Sequence, residues 1–102
     1  MSKRKLEFIE NYIFAKTLNL LAKNTNVSRE NTENYNIVNL ALTTSNNLLL
    51  SLEEDINNNI DNASFLILKK ELENPIIYSN KTNNLLQIKR MISKITKEKD
   101  QQ

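Results

Sequence analysis

The carboxylates of Glu53, Glu54 and Asp55 form the densest acidic cluster in the chain. Paired carboxylates can act as general acid and base, and they can also bind a hard cation through oxygen. Both kinds of site need further groups, yet the chain contains no histidine, no cysteine and no glycine. The usual neutral-pH base, thiolate chemistry and glycine-dependent phosphate loops are therefore excluded. We interpret the cluster as a solvated charge run and predict a non-enzymatic protein with no catalytic residue, metal or cofactor.

Four basic residues near the end of the chain form the second candidate site: Lys89, Arg90, Lys94 and Lys97. They are predicted to lie opposite or beside the apolar line of an amphipathic helix. Such a face is typical of a solvated surface, but it also fits an anionic membrane or the cytoplasmic side of a membrane protein. The formal charge of +2, from 14 basic and 12 acidic residues, does not require nucleic acid. We predict that these four residues bind a partner.

Residues 21–35 offer a third kind of site, because they can be aligned with a helix-turn-helix. Asn26 would replace the usual turn glycine, but Thr32 is a poor inward-facing residue and Glu33 would repel phosphates. The apolar repeat also continues far beyond the length of a recognition helix. We therefore interpret this stretch as a loop between two bundle helices, with Ser28 capping the second. A small DNA-binding regulator remains an alternative.

Four amphipathic segments must position these residues. Apolar residues recur at spacings of three and four, and asparagine-rich stops separate the segments. The predicted helices span residues 3–24, 29–57, 62–73 and 80–98. Asp61 or Asn62 caps the third helix, and Asn74 before Pro75 ends it. The weak helix formers at 43–47 leave open whether the second helix is continuous, bent or broken there.

Each predicted helix has an apolar line that should face a shared core. These lines are Leu6, Ile9, Ile13 and Leu20, with Tyr12 and Leu21 beside them; Tyr35, Val38, Leu42, Ser45, Leu49, Leu52 and Ile56; Phe65, Leu68 and Leu72; and Leu85, Ile88, Ile92 and Ile95. Phe8, Phe14, Ala15 and Leu18 widen the first. Four such stripes joined by short polar loops predict a single all-α domain over residues 1–102, an antiparallel up-down four-helix bundle.

The order of several short motifs adds a family resemblance. A basic start is followed by "LEFIEN", "VSREN", "NIVNLAL" and "SNNLL". Over residues 3–55 the chain resembles the class II bacteriocin immunity proteins, in particular the lactococcin A immunity type. The resemblance implies a four-helix bundle without enzymatic activity. It also implies recognition, from inside the cell, of a membrane receptor that bacteriocin has engaged, typically the sugar permease of a mannose phosphotransferase system. The C-terminal portion, which often sets specificity in that family, lacks the aromatic and glycine-rich ending of some members.

These observations lead to one expectation about function and two alternatives. We expect an immunity protein in the cytoplasm, at the inner face of the membrane, because no apolar run reaches about 18 residues and no signal peptide is visible. Its partners would be the receptor and bacteriocin, without a small-molecule substrate or nucleic acid. The alternatives are a DNA-binding regulator acting through residues 21–35 and a helical chaperone or adaptor whose groove holds a partner helix.

Overall fold

A computed structural model of the protein describes residues 3–54, 61–71 and 81–100. Four α-helices account for most of these residues: α1 is Lys3–Lys23, α2 is Thr32–Glu54, α3 is Asn62–Glu71 and α4 is Lys81–Asp100. No strand occurs in the three described ranges. The predicted all-α class is therefore confirmed. The predicted continuations of the second and third helices, the stop at Asn74-Pro75, and core residues Ile56 and Leu72 lie outside the described residues.

Helix α1 ends without glycine, because side chains bind its last carbonyl groups. Asn24 Nδ2 donates to Leu20 O at 2.8 Å, and Thr25 Oγ1 donates to Leu21 O at 2.6 Å. Terminal carbonyls of a helix have no partner within the helix, so such side-chain donors satisfy them. Thr25 is buried, which keeps its hydrogen bond out of competition with water. Polar residues thus define the end that the sequence placed at 24–26.

The start of α2 differs from the prediction that Ser28 is the N-cap. Ser28 instead begins a turn, in which its carbonyl oxygen accepts from Asn31 N at 3.0 Å and its hydroxyl accepts from Glu30 N at 3.2 Å. The first helical bond is then Tyr35 N to Asn31 O at 2.9 Å. Asn31 Oδ1 also accepts from the N–H of Asn34 at 3.4 Å, which is the N-cap arrangement. The helix therefore begins about one turn later than predicted, because the Ser28 groups are engaged in the turn.

Helix α2 is continuous through residues 43–47, the stretch whose continuity the sequence left open. Hydrogen bonds among polar side chains stabilise the helix across this stretch, whose residues have low helix propensity. Asn19 Nδ2 donates to Ser45 Oγ at 2.9 Å and to Asn46 Oδ1 at 2.8 Å. The Ser45 hydroxyl in turn donates to Leu42 O at 3.2 Å within the helix. Asn19 and Ser45 are buried, so these tertiary hydrogen bonds outweigh the low local helix propensity.

Helices α1 and α2 pack antiparallel. Asn19, in the second half of α1, meets the middle of α2, whereas Phe8, near the start of α1, clusters with Leu49 and Leu52 near the end of α2. The principal core lies between α1, α2 and α4. Its buried members are Leu18, Leu21, Ala22, Val38, Ala41, Leu85 and Ile88. The predicted line of α4 faces this core, as do Val38 and Leu42 of the α2 line, although Leu42, Ile92 and Ile95 are only partly buried. Leu49 and Leu52 of the α2 line pack instead in the second cluster, with Phe8, Tyr12 and Phe65.

The predicted core line of α1 is wrong at Leu6 and Ile13, whereas Tyr12 and Leu21, predicted beside it, are buried. Leu6 and Ile13, two residues of that line, are 48% and 39% exposed, whereas Phe8 and Ala15 are buried. The reason is that α1 carries apolar residues around much of its circumference, so periodicity alone could not select the inner face. The face with small Ala15 and Ala22 lets the neighbouring helices approach closely. Phe8 and Tyr12 then fill the wider space toward α3.

Helix α3 begins at the predicted cap, since Asp61 Oδ1 accepts from Ser64 N at 2.8 Å. It contacts α1 through Phe65, whose ring meets the Tyr12 ring edge-on with centroids 5.2 Å apart. Leu66, which follows Phe65 on α3, is 63% exposed. Within the described residues, every helix is too short or too polar to cross a lipid bilayer.

Candidate partner-binding surface

The predicted partner-binding residues lie together on the outer face of α4. Lys89, Arg90, Lys94 and Lys97 are all exposed, and with Ser93 they line a shallow depression of about 410 Å³. We call these four cations the basic surface. Helical spacing explains the grouping, because positions i, i+1, i+5 and i+8 fall within one arc. That arc is opposite the buried side chains of the same helix. Their shared face is thus observed, whereas their role in binding stays a prediction.

The basic surface carries four positive charges with no acidic residue between them in the sequence. Between residues 81 and 97 the sequence contains no aspartate and no glutamate. Four cations on one face with no acid between them attract anionic groups and raise their local concentration. Leu86, which is 44% exposed, adds an apolar side chain to the same helix. This arrangement favours an anionic partner that also has apolar contacts to offer.

Lys94 connects the basic surface to α1. Its Nζ lies 5.5 Å from the centroid of the Phe14 ring, which is a cation–π distance. On that side Lys94 also lines a small cavity of about 190 Å³ with Glu10, Asn11 and Phe14. The ring therefore holds the lysine stem beside the interface between α1 and α4, with the ammonium group at the cavity.

A second cavity adjoins the first where α1, α2 and α4 meet. It measures about 220 Å³ and is lined by Asn11, Phe14, Leu48, Ser51, Leu52 and Ile95. We call it the three-helix groove. Asn11 and Phe14 line both cavities, so the two are adjacent. Sequence reasoning missed this site, since residues of three helices form it. The one available signal was Phe14, an aromatic residue on the widened apolar surface of the first helix.

The acidic cluster does not form a metal site in the described residues. Glu53 and Glu54 are exposed, and Asp55 lies outside the described ranges. Where the structure is described, no group of three acidic, histidine or cysteine residues could hold a metal ion. Glu53 does influence the core, because burial and then its carboxylate charge raise the pKa of Tyr12. The Tyr12 hydroxyl therefore stays protonated at neutral pH, and it is buried with no hydrogen-bond partner among the described residues.

Residues 21–35 comprise the end of α1, a loop over residues 24–31 and the start of α2, which packs antiparallel to α1. A helix-turn-helix instead joins its helices at a steep angle through a short turn. Arg29, the cation that a DNA-binding surface would need, lies 6.0 Å from the centroid of the Tyr35 ring. Hydrogen bonding with Asn39, and then the Arg29 charge, lower the pKa of Tyr35. These contacts give Arg29 a local partner in the hairpin.

No family model matches the chain, and no curated protein and no solved structure is significantly similar to it.

Proposed function

We propose that this protein is a non-enzymatic bacteriocin immunity protein that protects its producer by recognising a bacteriocin-engaged membrane receptor from the cytoplasmic side. The observation that carries the proposal is the basic surface, four exposed cations on one face of α4, beside an apolar groove. The resemblance over residues 3–55 supplies the biological setting. In that setting the receptor is a permease such as that of a mannose phosphotransferase system, and the protein blocks the leak that bacteriocin opens.

The charge of the basic surface is sufficient to bring a small protein to the inner leaflet. Each lysine or arginine near an anionic membrane surface contributes about 1 kcal/mol at moderate ionic strength. Four together favour the membrane without a lipid anchor, and they do so reversibly. Charges at the rim of an interface mainly accelerate encounter, so specific capture also needs apolar anchors. The proposed protein therefore combines electrostatic attraction with a separate apolar contact.

The proposal includes an antiparallel up-down four-helix bundle as the complete architecture. Antiparallel packing of α1 and α2 supports it, as does the order of contacts between α1 and α4. Leu85, at the start of α4, belongs to the core that contains Leu21 near the end of α1, while Lys94 meets Phe14 farther back along α1. Helix α4 therefore also runs antiparallel to α1. In an up-down bundle the α3 axis would run parallel to α1.

The test is expression of the chain in a bacteriocin-sensitive strain, challenged with a panel of class II bacteriocins. We expect protection against at least one of them. A variant with Lys89, Arg90, Lys94 and Lys97 changed to Gln should fold equally well and protect less. If the wild-type chain protects against no bacteriocin of the panel, the immunity function is refuted.

A matched control separates the position of the charges from their number. Changing Lys16, Lys23, Lys69 and Lys70 to Gln also lowers the formal charge from +2 to −2, because four cations are lost in each variant. These residues lie on α1 and α3, away from the basic surface. We expect this control to retain protection. Equal loss in both variants would show that net charge, and not the α4 face, matters.

A helical adaptor is the second candidate function, because the three-helix groove could hold part of a partner helix. Co-purification of one soluble protein at a stoichiometric ratio, without protection in the bacteriocin assay, would favour it. DNA binding through residues 21–35 would instead produce a gel shift at physiological salt, which we do not expect.

A further inference from the structure

The three-helix groove has the composition of a pocket for an apolar side chain. Phe14, Leu48, Leu52 and Ile95 form its walls, and each of them is only partly buried in the folded chain. Asn11 and Ser51 are exposed at its edge and can exchange hydrogen bonds with a backbone. Ligand sites commonly combine such apolar walls with a few polar groups at the rim. The apolar surface left open here is therefore placed where a partner can cover it.

The size of the groove limits what enters it. Its volume is about 220 Å³, and the adjoining cavity beside Lys94 adds about 190 Å³. A closed cavity of about 150 Å³ is enough to hold a benzene molecule. One leucine or phenylalanine side chain therefore fits the groove, with room beside it for the polar group of a neighbouring residue. A whole helix does not fit, so the partner must lie across the opening and insert a single anchor.

The charge next to the groove selects an acidic partner. Lys94 belongs both to the cavity adjacent to the groove and to the basic surface, where Arg90 and Lys97 lie beside it. The Phe14 ring positions the Lys94 ammonium group at this junction. Glu10 also lines the cavity, and its carboxylate faces the same solvent. Among the residues that line this cavity and the depression of the basic surface, four cations outnumber this one carboxylate, so the charge of the two linings favours an acidic group.

We propose that the three-helix groove binds an acidic amphipathic segment of the partner protein, which inserts one apolar side chain and places a carboxylate on Lys94. In a helical segment the two side chains would be three or four residues apart, because such positions share one face. The inference rests on the proposed function for the identity of the partner, but the binding chemistry can be measured separately.

The first experiment uses three synthetic peptides and the full-length, isotope-labelled chain. One peptide is an amphipathic helix built from leucine and glutamate, the second replaces leucine by serine, and the third replaces glutamate by lysine. Amide chemical shifts report where each one binds. We expect only the leucine–glutamate peptide to bind, with the largest shifts at Asn11, Ser51 and Ile95. Equal binding of the lysine peptide, or shifts centred on exposed Leu66 in α3, would overturn the proposal.

Variants at the groove supply the second measurement. Asn11→Trp and Ser51→Trp should each fill the opening from a different wall. They should weaken peptide binding by at least about tenfold, since an apolar group in a hydrophobic pocket is worth roughly 10–200-fold in discrimination. Lys94→Gln should weaken it about two- to fivefold, as expected for one exposed ion pair. Leu50→Trp, at a position of α2 that is 62% exposed and does not line the groove, is the matched control and should bind normally.

Circular dichroism will show whether each variant is folded. The chemical-shift map of peptide binding to the wild-type chain tests the site even if a variant does not fold. Unchanged binding by both groove-filling variants would refute the site. Protection assays separate the two proposals. If folded Asn11→Trp and Ser51→Trp protect fully, the groove proposal is refuted and the proposed immunity function is unaffected. Groove-dependent peptide binding by a wild-type chain that protects against no bacteriocin would do the reverse.

Discussion

The polar cluster between α1 and α2 provides the sharpest test of the packing. Asn19→Ala would remove both hydrogen bonds that Asn19 Nδ2 donates, to Ser45 Oγ at 2.9 Å and to Asn46 Oδ1 at 2.8 Å. The first is buried and should be worth about 1–1.5 kcal/mol net. The second ends on an exposed side chain that water can satisfy, so its contribution should be smaller. Because Asn19 is 1% exposed, the truncated side chain also leaves a small cavity.

Together these effects predict that Asn19→Ala lowers the free energy of unfolding by about 2–3 kcal/mol. Ser45→Ala should cost less, about 1 kcal/mol, because the Asn19 amide keeps its bond to Asn46. The two changes share one hydrogen bond, so the double variant should be about 0.5–1 kcal/mol less destabilised than the sum of the single variants.

Urea unfolding followed by circular dichroism at 222 nm measures all three values. Asn36→Ala, an exposed asparagine on α2, is the control and should change stability by less than about 0.5 kcal/mol. A cost below about 0.5 kcal/mol for Asn19→Ala, or strict additivity in the double variant, would refute the buried hydrogen bond and its role in holding α2 continuous.

Three further outcomes follow from burial and charge. Ile88→Ala should cost about 2–5 kcal/mol in urea unfolding, since Ile88 is 0% exposed, while Leu49→Ala should cost less because Leu49 is only partly buried; the opposite order would mean that the core is misplaced. Tyr12→Phe should be neutral or slightly stabilising at pH 7, because the buried Tyr12 hydroxyl has no partner in the part of the chain that the structure describes. The folded-state pKa of Tyr12 is raised above the ordinary 10.0, so the stability of the wild-type chain should fall as the pH rises through about 10. Thermal unfolding at high pH should therefore show Tyr12→Phe gaining stability relative to the wild-type chain. A stability difference that stays constant between pH 7 and 10.5 would contradict this. Changing the acids at 53–55 to the corresponding amides should leave protection intact, and its loss in a folded variant would indicate a carboxylate site.

The site was partly predictable, for a reason that lies in helix geometry. The spacing of Lys89, Arg90, Lys94 and Lys97 determines that they share one face of any regular helix, whatever that helix packs against. The groove was not predictable in this way. It combines residues of α1, α2 and α4, and periodicity describes one helix at a time. Neither Phe14 nor Ile95 carries a signal that the two approach the same cavity.

The number and approximate bounds of the helices depend on local properties that the sequence contains. The stop at residues 24–26 and the cap at Asp61 act within a few residues, and both appear in the structure as expected. The all-α class follows from the same information, since a 3.6-residue period repeated in four segments leaves no strand pattern.

Tertiary packing determined two features that the local sequence left open: the buried face of α1 and the continuity of α2. Helix α1 is apolar on several sides, so only its neighbours determined that Phe8 and Tyr12 are buried while Leu6 and Ile13 face solvent. The continuity of α2 likewise depended on Asn19, which lies 26 residues from Ser45 along the chain. Propensity at 43–47 is weak in either direction, and a buried hydrogen bond from another helix is strong enough to settle it. Such choices rest on contacts between distant residues, which exist only once the helices have packed.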